Sequence, residues 1–170
     1  MLLLAALCIA WLAAYQMGLV TDQDSSLIPA GSRTKLQQLA VRTLQGAVWR
    51  GNTLQGHVAL INFWATWCPP CREELPGLIH ISSQFKSAGV EVIGIEAGGE
   101  NAGQVHSFAQ KEHIPYTLLL ADTGQPDPLD QGILPTTLLI DRNGKIAKTW
   151  QGAVSEAVFR AALQQALKEK

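Results

Sequence analysis

The sequence predicts an α/β fold, a central mixed β-sheet flanked by helices, on three observations. Two nearly continuous apolar runs, 58–63 and 90–95, read as strands buried on both faces. Each is followed by a stretch whose apolar residues recur at helical spacing. A hairpin signal and an amphipathic segment then close the chain, so strand and helix alternate first and a hairpin and a helix finish.

The elements follow in order. Residues 1–21 carry no charged side chain and are almost all apolar. A run of about 20 such residues is long enough to span a bilayer, so an N-terminal apolar anchor helix is expected. A cleaved signal peptide is the alternative, although Leu12-Ala13-Ala14 is a mediocre cleavage site and no Lys or Arg precedes the run. Cys8 lies inside it and reads as a small apolar helix residue, since Ala5-Ala6-Leu7 is a poor lipidation box. Residues 22–40 are polar and read as a linker.

A first strand is expected at 41–44, ending at Gly46, and a buried strand at 58–63. A helix follows from Cys68 or Pro69 to about Ser87, with Pro76 expected to kink it and Gly89 to stop it. The strand 90–95, a helix at 102–112 and a strand at 116–120 come next. Residues 122–131 are turn-rich. Strands at 136–141 and 146–150 flank Arg142-Asn143-Gly144-Lys145, a hairpin turn. The final helix starts at Ser155 and Glu156 and carries Val158, Phe159, Ala162, Leu163, Ala166 and Leu167 on its apolar side. The domain therefore spans 41–170.

The 170 residues are 47% hydrophobic and 16% charged, with a net charge of −1. Such balance, without a basic run, argues against a nucleic-acid partner. Three cysteines are too few for a disulfide framework at this size. If residues 1–21 anchor or export the chain, the rest works outside the cytoplasm, where disulfides persist.

Cys68 and Cys71 carry the chemistry. They follow an apolar strand and open a helix, so the first sulfur meets unpaired N–H groups and the positive end of the helix dipole. A thiolate is favoured there, and the thiolate attacks disulfides. Cys68 is thus the expected nucleophile and the more exposed sulfur. Cys71, one turn along, can close a ring with it and resolve a mixed disulfide. Zinc binding is the competing reading of two such cysteines. It needs about four ligands, and His57, His80, His106 and His113 show no matching pairing. No cofactor or metal is expected.

The segment Asn62-Phe63-Trp64-Ala65-Thr66-Trp67-Cys68-Pro69-Pro70-Cys71-Arg72-Glu73-Glu74-Leu75-Pro76 resembles the active-site segment of thioredoxin-fold proteins. More narrowly, it is similar to the TlpA/ResA/CcmG group of membrane-anchored thiol–disulfide oxidoreductases. Leu134-Pro135-Thr136-Thr137 resembles the cis-proline loop of that group, and Asn143-Gly144-Lys145 follows. The resemblance covers roughly 41–167. It implies a thioredoxin-like fold with a central helix-plus-strand insertion, filled by 102–112 and 116–120.

The resemblance also implies roles. Pro135 is cis beside the cysteine pair, and the backbone of Leu134 pairs with an extended substrate. Thioredoxins proper place a buried aspartate where Asn62 stands, and an amide cannot move a proton. Glu74, three residues after Cys71 and on the same side of the helix, matches the group's tuning glutamate. Its alternative is a solvated acid complementing the helix dipole. Glu73 reads as solvated, Glu100 as a second acid near the site, Trp64 as core and Trp67 as an apolar substrate wall beside Cys68.

Members of the group usually act as reductants. They keep apocytochrome c cysteines reduced, or reduce other extracytoplasmic partners, with electrons from a membrane thiol transporter of DsbD/CcdA type. The resemblance therefore implies a domain tethered to the inner membrane and facing the periplasm, or a soluble periplasmic one after signal cleavage. A thiol peroxidase and a copper-binding or copper-tolerance module are the rival readings. The second is weakened by only two methionines and the lack of a Cys/His/Met cluster in the sequence.

Overall fold

The computed structural model describes residues 24–36, 39–121 and 132–169. The anchor or signal segment 1–21 and the turn-rich stretch 122–131 lie outside the described residues. Among the described residues no helix is long and apolar enough to cross a membrane.

Seven strands form one mixed sheet in the order β2-β1-β5-β4-β3-β6-β7. They are β1 (Ala40–Thr43), β2 (Val48–Arg50), β3 (Val58–Trp64), β4 (Val90–Glu96), β5 (Thr117–Leu120), β6 (Thr136–Ile140) and β7 (Ile146–Gln151). The three central strands β3, β4 and β5 run parallel. Every other pairing is antiparallel. The helices are α1 (Pro69–Gln84), α2 (Ala102–Lys111) and α3 (Glu156–Lys168). The expected central insertion is present as α2 and β5.

β3 is buried along its whole length, as its apolar run predicts. Its alternate side chains feed two cores. Val58 and Leu60 join Leu78 and Ile81 of α1 and Phe159, Ala162 and Leu163 of α3. Ala59, Ile61 and Phe63 face the other way, onto Leu39, Val41, Leu54, Ile93, Ile95 and Leu138. That second core contains no residue of α1, α2 or α3. The sequence predicts a sheet flanked by helices; all three described helices instead pack on one face. Right-handed crossovers explain this: β3→β4 and β4→β5 step in the same direction across the sheet, so α1 and α2 fall on the same side.

Two boundaries differ from expectation. α1 continues through Pro76 to Gln84, and a 3-10 turn (Lys86–Ala88) carries the chain to Gly89, whose φ of +77° ends it. β2 has no counterpart in the sequence reading, because three residues are too few to display a period.

The polar stretch read as a linker is laid along β7. Thr34 accepts the Ile146 N–H at 2.8 Å, the Leu36 N–H reaches Gly144 at 3.0 Å, and the Ile28 N–H reaches Ala147 at 2.8 Å. Trp150 donates its indole N–H to the Asp24 carbonyl at 2.9 Å. Arg33 is buried in this strap. Its guanidinium bonds Asp141 at 3.0 Å and both oxygens of Glu169, joining strap, hairpin and chain end. Its Nε bonds the Ile28 carbonyl at 2.8 Å. Polar composition hides such a segment, because backbone bonds and one buried cation hold it rather than an apolar stripe.

Removing one partner of a buried ion pair leaves the other unpaired, which costs about 3–5 kcal/mol. Asp141 keeps the Asn143 and Lys145 amides as donors. Arg33→Met is therefore expected near the lower end, about 3 kcal/mol, read as a lower urea midpoint with an unchanged slope.

Candidate active site

β3 delivers the chain to the end of the sheet and α1 starts within five residues of its last one, Trp64. Cys68 is the N-cap, in extended conformation, and Pro69 and Pro70 occupy the first two helical positions. Prolines are tolerated there because those N–H groups have no intrahelical partner. They also leave Cys71 with the first free amide of the helix. That amide points at the Cys68 sulfur, 3.3 Å away. Cys68 and Cys71 are joined as a disulfide, with their Cα atoms 5.3 Å apart.

The sequence predicts Cys68 as the more exposed sulfur. In this oxidised form both residues are buried, at 3% and 4% exposure. They pack with Trp64, Ala65, Val105 and Leu118, against which Leu134 is also seated. The Leu134–Pro135 peptide bond is cis, and the Leu134 side chain packs against this cluster. Trp64 is core, and its ring meets Phe108 at 5.3 Å between centroids. Trp67 is 63% exposed, with its indole N–H toward the Gly98 carbonyl at 3.4 Å.

Glu74 is not a solvated first-turn acid. It is 4% exposed, beneath the helix start. Asn62 of β3 donates to one carboxyl oxygen at 2.6 Å, and the Val154 amide donates to the other at 3.0 Å. The second proton of the Asn62 amide goes to Thr137 of β6 at 2.9 Å. Burial pushes the Glu74 carboxyl up to about 7, with the Val154 and Asn62 bonds pulling the other way. The Tyr116 hydroxyl is also pushed up, first by burial and then by the Glu74 charge, so the phenol lies within electrostatic reach of that carboxyl. Glu73, by contrast, is exposed, as expected.

Glu100 is also brought to the site. Its carboxyl accepts the Thr66 N–H at 2.9 Å and the Thr66 hydroxyl. Sequence reasoning missed Glu96, Gly98, Thr137 and the Val154 amide. Glu96 had a signal, an acid at the end of an apolar run and one residue before Gly98-Gly99. The Val154 amide had none, since any residue supplies one. No group of three or more His, Cys, Asp or Glu residues placed to hold a metal exists among the described residues.

Comparison with known proteins agrees with this geometry. Residues 24–166 match the redoxin family. The chain is 36% identical over 107 residues to the thiol-disulfide oxidoreductase ResA of Bacillus subtilis, covering 62% of this chain and 59% of that protein. It thus spans less than two thirds of that relative's length. To the ResA protein of Halalkalibacterium halodurans it is 32% identical over 135 residues, covering 78% of this chain and 74% of the relative. Among solved structures, a thiol:disulfide interchange protein of the thioredoxin family from Chlorobium tepidum superposes with a TM-score of 0.69 at 27% identity. That match covers 79% of this chain and 97% of the other.

Glu74 sits above its ordinary carboxyl value of 4.5, so the folded chain binds its proton more tightly than the unfolded chain does. The stability this contributes is complete below about pH 4.5 and is lost as the pH rises through about 7. The loss amounts to about 3 kcal/mol on the scale of 1.36 kcal/mol per pH unit. Unfolding of the oxidised protein at pH 4 and pH 8 is expected to show this slope, and Glu74→Gln is expected to remove it whatever its absolute stability.

Proposed function

The chain belongs to the redoxin family, with relatives of ResA type, and from that premise we propose that it is an extracytoplasmic thiol–disulfide oxidoreductase acting as a reductant. The observation that carries the reading is the dithiol at the mouth of α1, with the Cys68 sulfur accepting the Cys71 N–H.

In the reduced protein the Cys68 thiolate attacks one sulfur of a partner disulfide. A Cys68–partner bond forms, the partner S–S bond breaks, and the partner's other sulfur leaves as a thiolate. Cys71 then attacks the Cys68 sulfur. The intramolecular disulfide forms, and the partner leaves with both sulfurs reduced by the two electrons the protein gave up. Cys71 must lose its proton for this step, and the Glu74 carboxylate, three residues on along the same helix, takes it. Its value near 7 suits a group that exchanges a proton at neutral pH. The Leu134–Pro135 segment and exposed Trp67 flank the sulfurs and supply the surface for an extended partner.

By its resemblance to the TlpA/ResA/CcmG group, the partner is a protein disulfide such as that of apocytochrome c. The electron donor is a membrane thiol transporter of DsbD/CcdA type. Residues 1–21 would hold the domain at the inner membrane.

Two measurements test this. Equilibration with glutathione is expected to give a potential below that of the glutathione pool; a value near −120 mV, that of a strong oxidant, would overturn the reductant reading. Reduced protein is expected to reduce a disulfide-bonded Cys-x-x-Cys-His peptide. Cys71→Ser should accumulate the mixed disulfide through Cys68, while Cys68→Ser should fall to the background rate.

A further inference from the structure

The loop after β4 holds an acid that the reaction above does not use. Glu96, the last residue of β4, is 2% exposed. One of its carboxyl oxygens accepts the Gly98 N–H at 2.5 Å and the other accepts the Glu100 N–H at 3.2 Å. The loop 97–100 is thus folded round a single carboxyl group. Its outer side meets the turn that leads into the dithiol. The Ala97 N–H bonds the Trp64 carbonyl at 2.9 Å, the Gly98 carbonyl accepts from the Trp67 indole, and Glu100 holds both the amide and the hydroxyl of Thr66. The fit is close: a Cβ on Gly98 would lie 2.5 Å from the Ala65 Cβ and 2.7 Å from the Trp67 ring nitrogen.

Cys68 is therefore held from two sides. On the helix side, the Arg72 N–H bonds the Cys68 carbonyl at 3.2 Å and the Cys71 N–H meets the sulfur. On the other side, the turn before Cys68 is fixed by a loop whose own shape depends on Glu96. We propose that Glu96 is a positioning residue for the dithiol, acting through Glu100 and Thr66 to set where the Cys68 sulfur stands. The proposal deepens the reading of Cys68 as the attacking group and rests on it.

Charge arrangement supports the assignment. Burial raises Glu96 above its ordinary value, and the neighbouring Glu100 carboxyl raises it further against the pull of the two amides. A glutamine at 96 keeps a carbonyl oxygen for the Gly98 N–H but sets an NH2 group against the Glu100 N–H, which it cannot accept. An alanine keeps neither bond.

The test uses the full chain and two readouts. The first is hydrogen exchange of the Thr66 amide in the oxidised protein. The second is the rate at which reduced protein attacks oxidised glutathione, giving the intramolecular disulfide and two reduced glutathiones. Glu96→Ala is expected to speed Thr66 exchange about tenfold and to slow the attack about fivefold, while Glu96→Gln, which keeps the Gly98 bond, is expected to fall between alanine and wild type in both. If Glu96→Ala does not fold, Glu96→Asp, one methylene too short to reach both amides, carries the same expectation. Unchanged Thr66 protection in the alanine or aspartate variant overturns the proposal. So does lost protection with an unchanged rate, which would leave Glu96 a purely structural acid. A glutamine variant as impaired as alanine overturns it too. A wild-type chain that never exchanges with glutathione sinks the dithiol reading itself, and the positioning role with it.

Discussion

Glu74 is the point at which several elements meet. Its carboxyl group belongs to α1, one oxygen is held by Asn62 of β3, and the other is held by the Val154 amide on the approach to α3. Asn62 in turn bonds Thr137 of β6. One acid therefore ties the helix that carries the cysteines to β3, through Asn62 to β6, and to the entry of the last helix. A buried carboxyl without partners is strongly disfavoured in water-free surroundings, so each donor constrains where its element can lie. The same burial lifts its proton affinity toward neutrality. Structural constraint and chemical competence come from one desolvated group, and the position of α1 relative to β3 cannot change without altering both.

Glu96 and Glu74 form an instructive contrast. Both are buried and both are raised in proton affinity. Glu74 takes its donors from two separate parts of the chain, which makes it a cross-link. Glu96 takes both of its donors from the next four residues, which makes it the centre of a loop. The first lies on the α1 side of the cysteines and the second stands behind the turn that precedes them. Asn62 completes the picture. Where related thioredoxins place a buried aspartate, this chain has an amide that donates to Glu74 rather than accepting a proton itself.

Much of this was legible in the sequence. The strand 58–63, the helix opening at the cysteines, the terminal hairpin and the amphipathic last helix rest on local periodicity and turn chemistry, which a single chain displays. Cys68, Cys71, Leu134 and Pro135 were legible through motif resemblance. The strap was not, because Arg33 in a polar stretch looks like any solvated residue until Asp141 and Glu169 are brought to it from more than a hundred residues away. The burial of Glu74 was only half legible. Helical spacing puts it on the cysteine side, but its solvent exposure depends on Val154 arriving from 80 residues downstream. Glu96 was obscured by its position at the end of an apolar run, where an acid reads as the first solvated residue of a loop.

The strap along β7 also governs how copies of this domain meet one another. An uncovered outer strand offers a row of backbone donors and acceptors onto which another chain can add. Here Ile28, Thr34 and Leu36 already occupy the start of that row through bonds to Ala147, Ile146 and Gly144. The opposite border of the sheet is β2, only three residues long, with Val48 54% exposed. A three-residue border strand offers few backbone groups to an added chain. The strap thereby keeps the start of β7 from becoming a place where other chains accumulate.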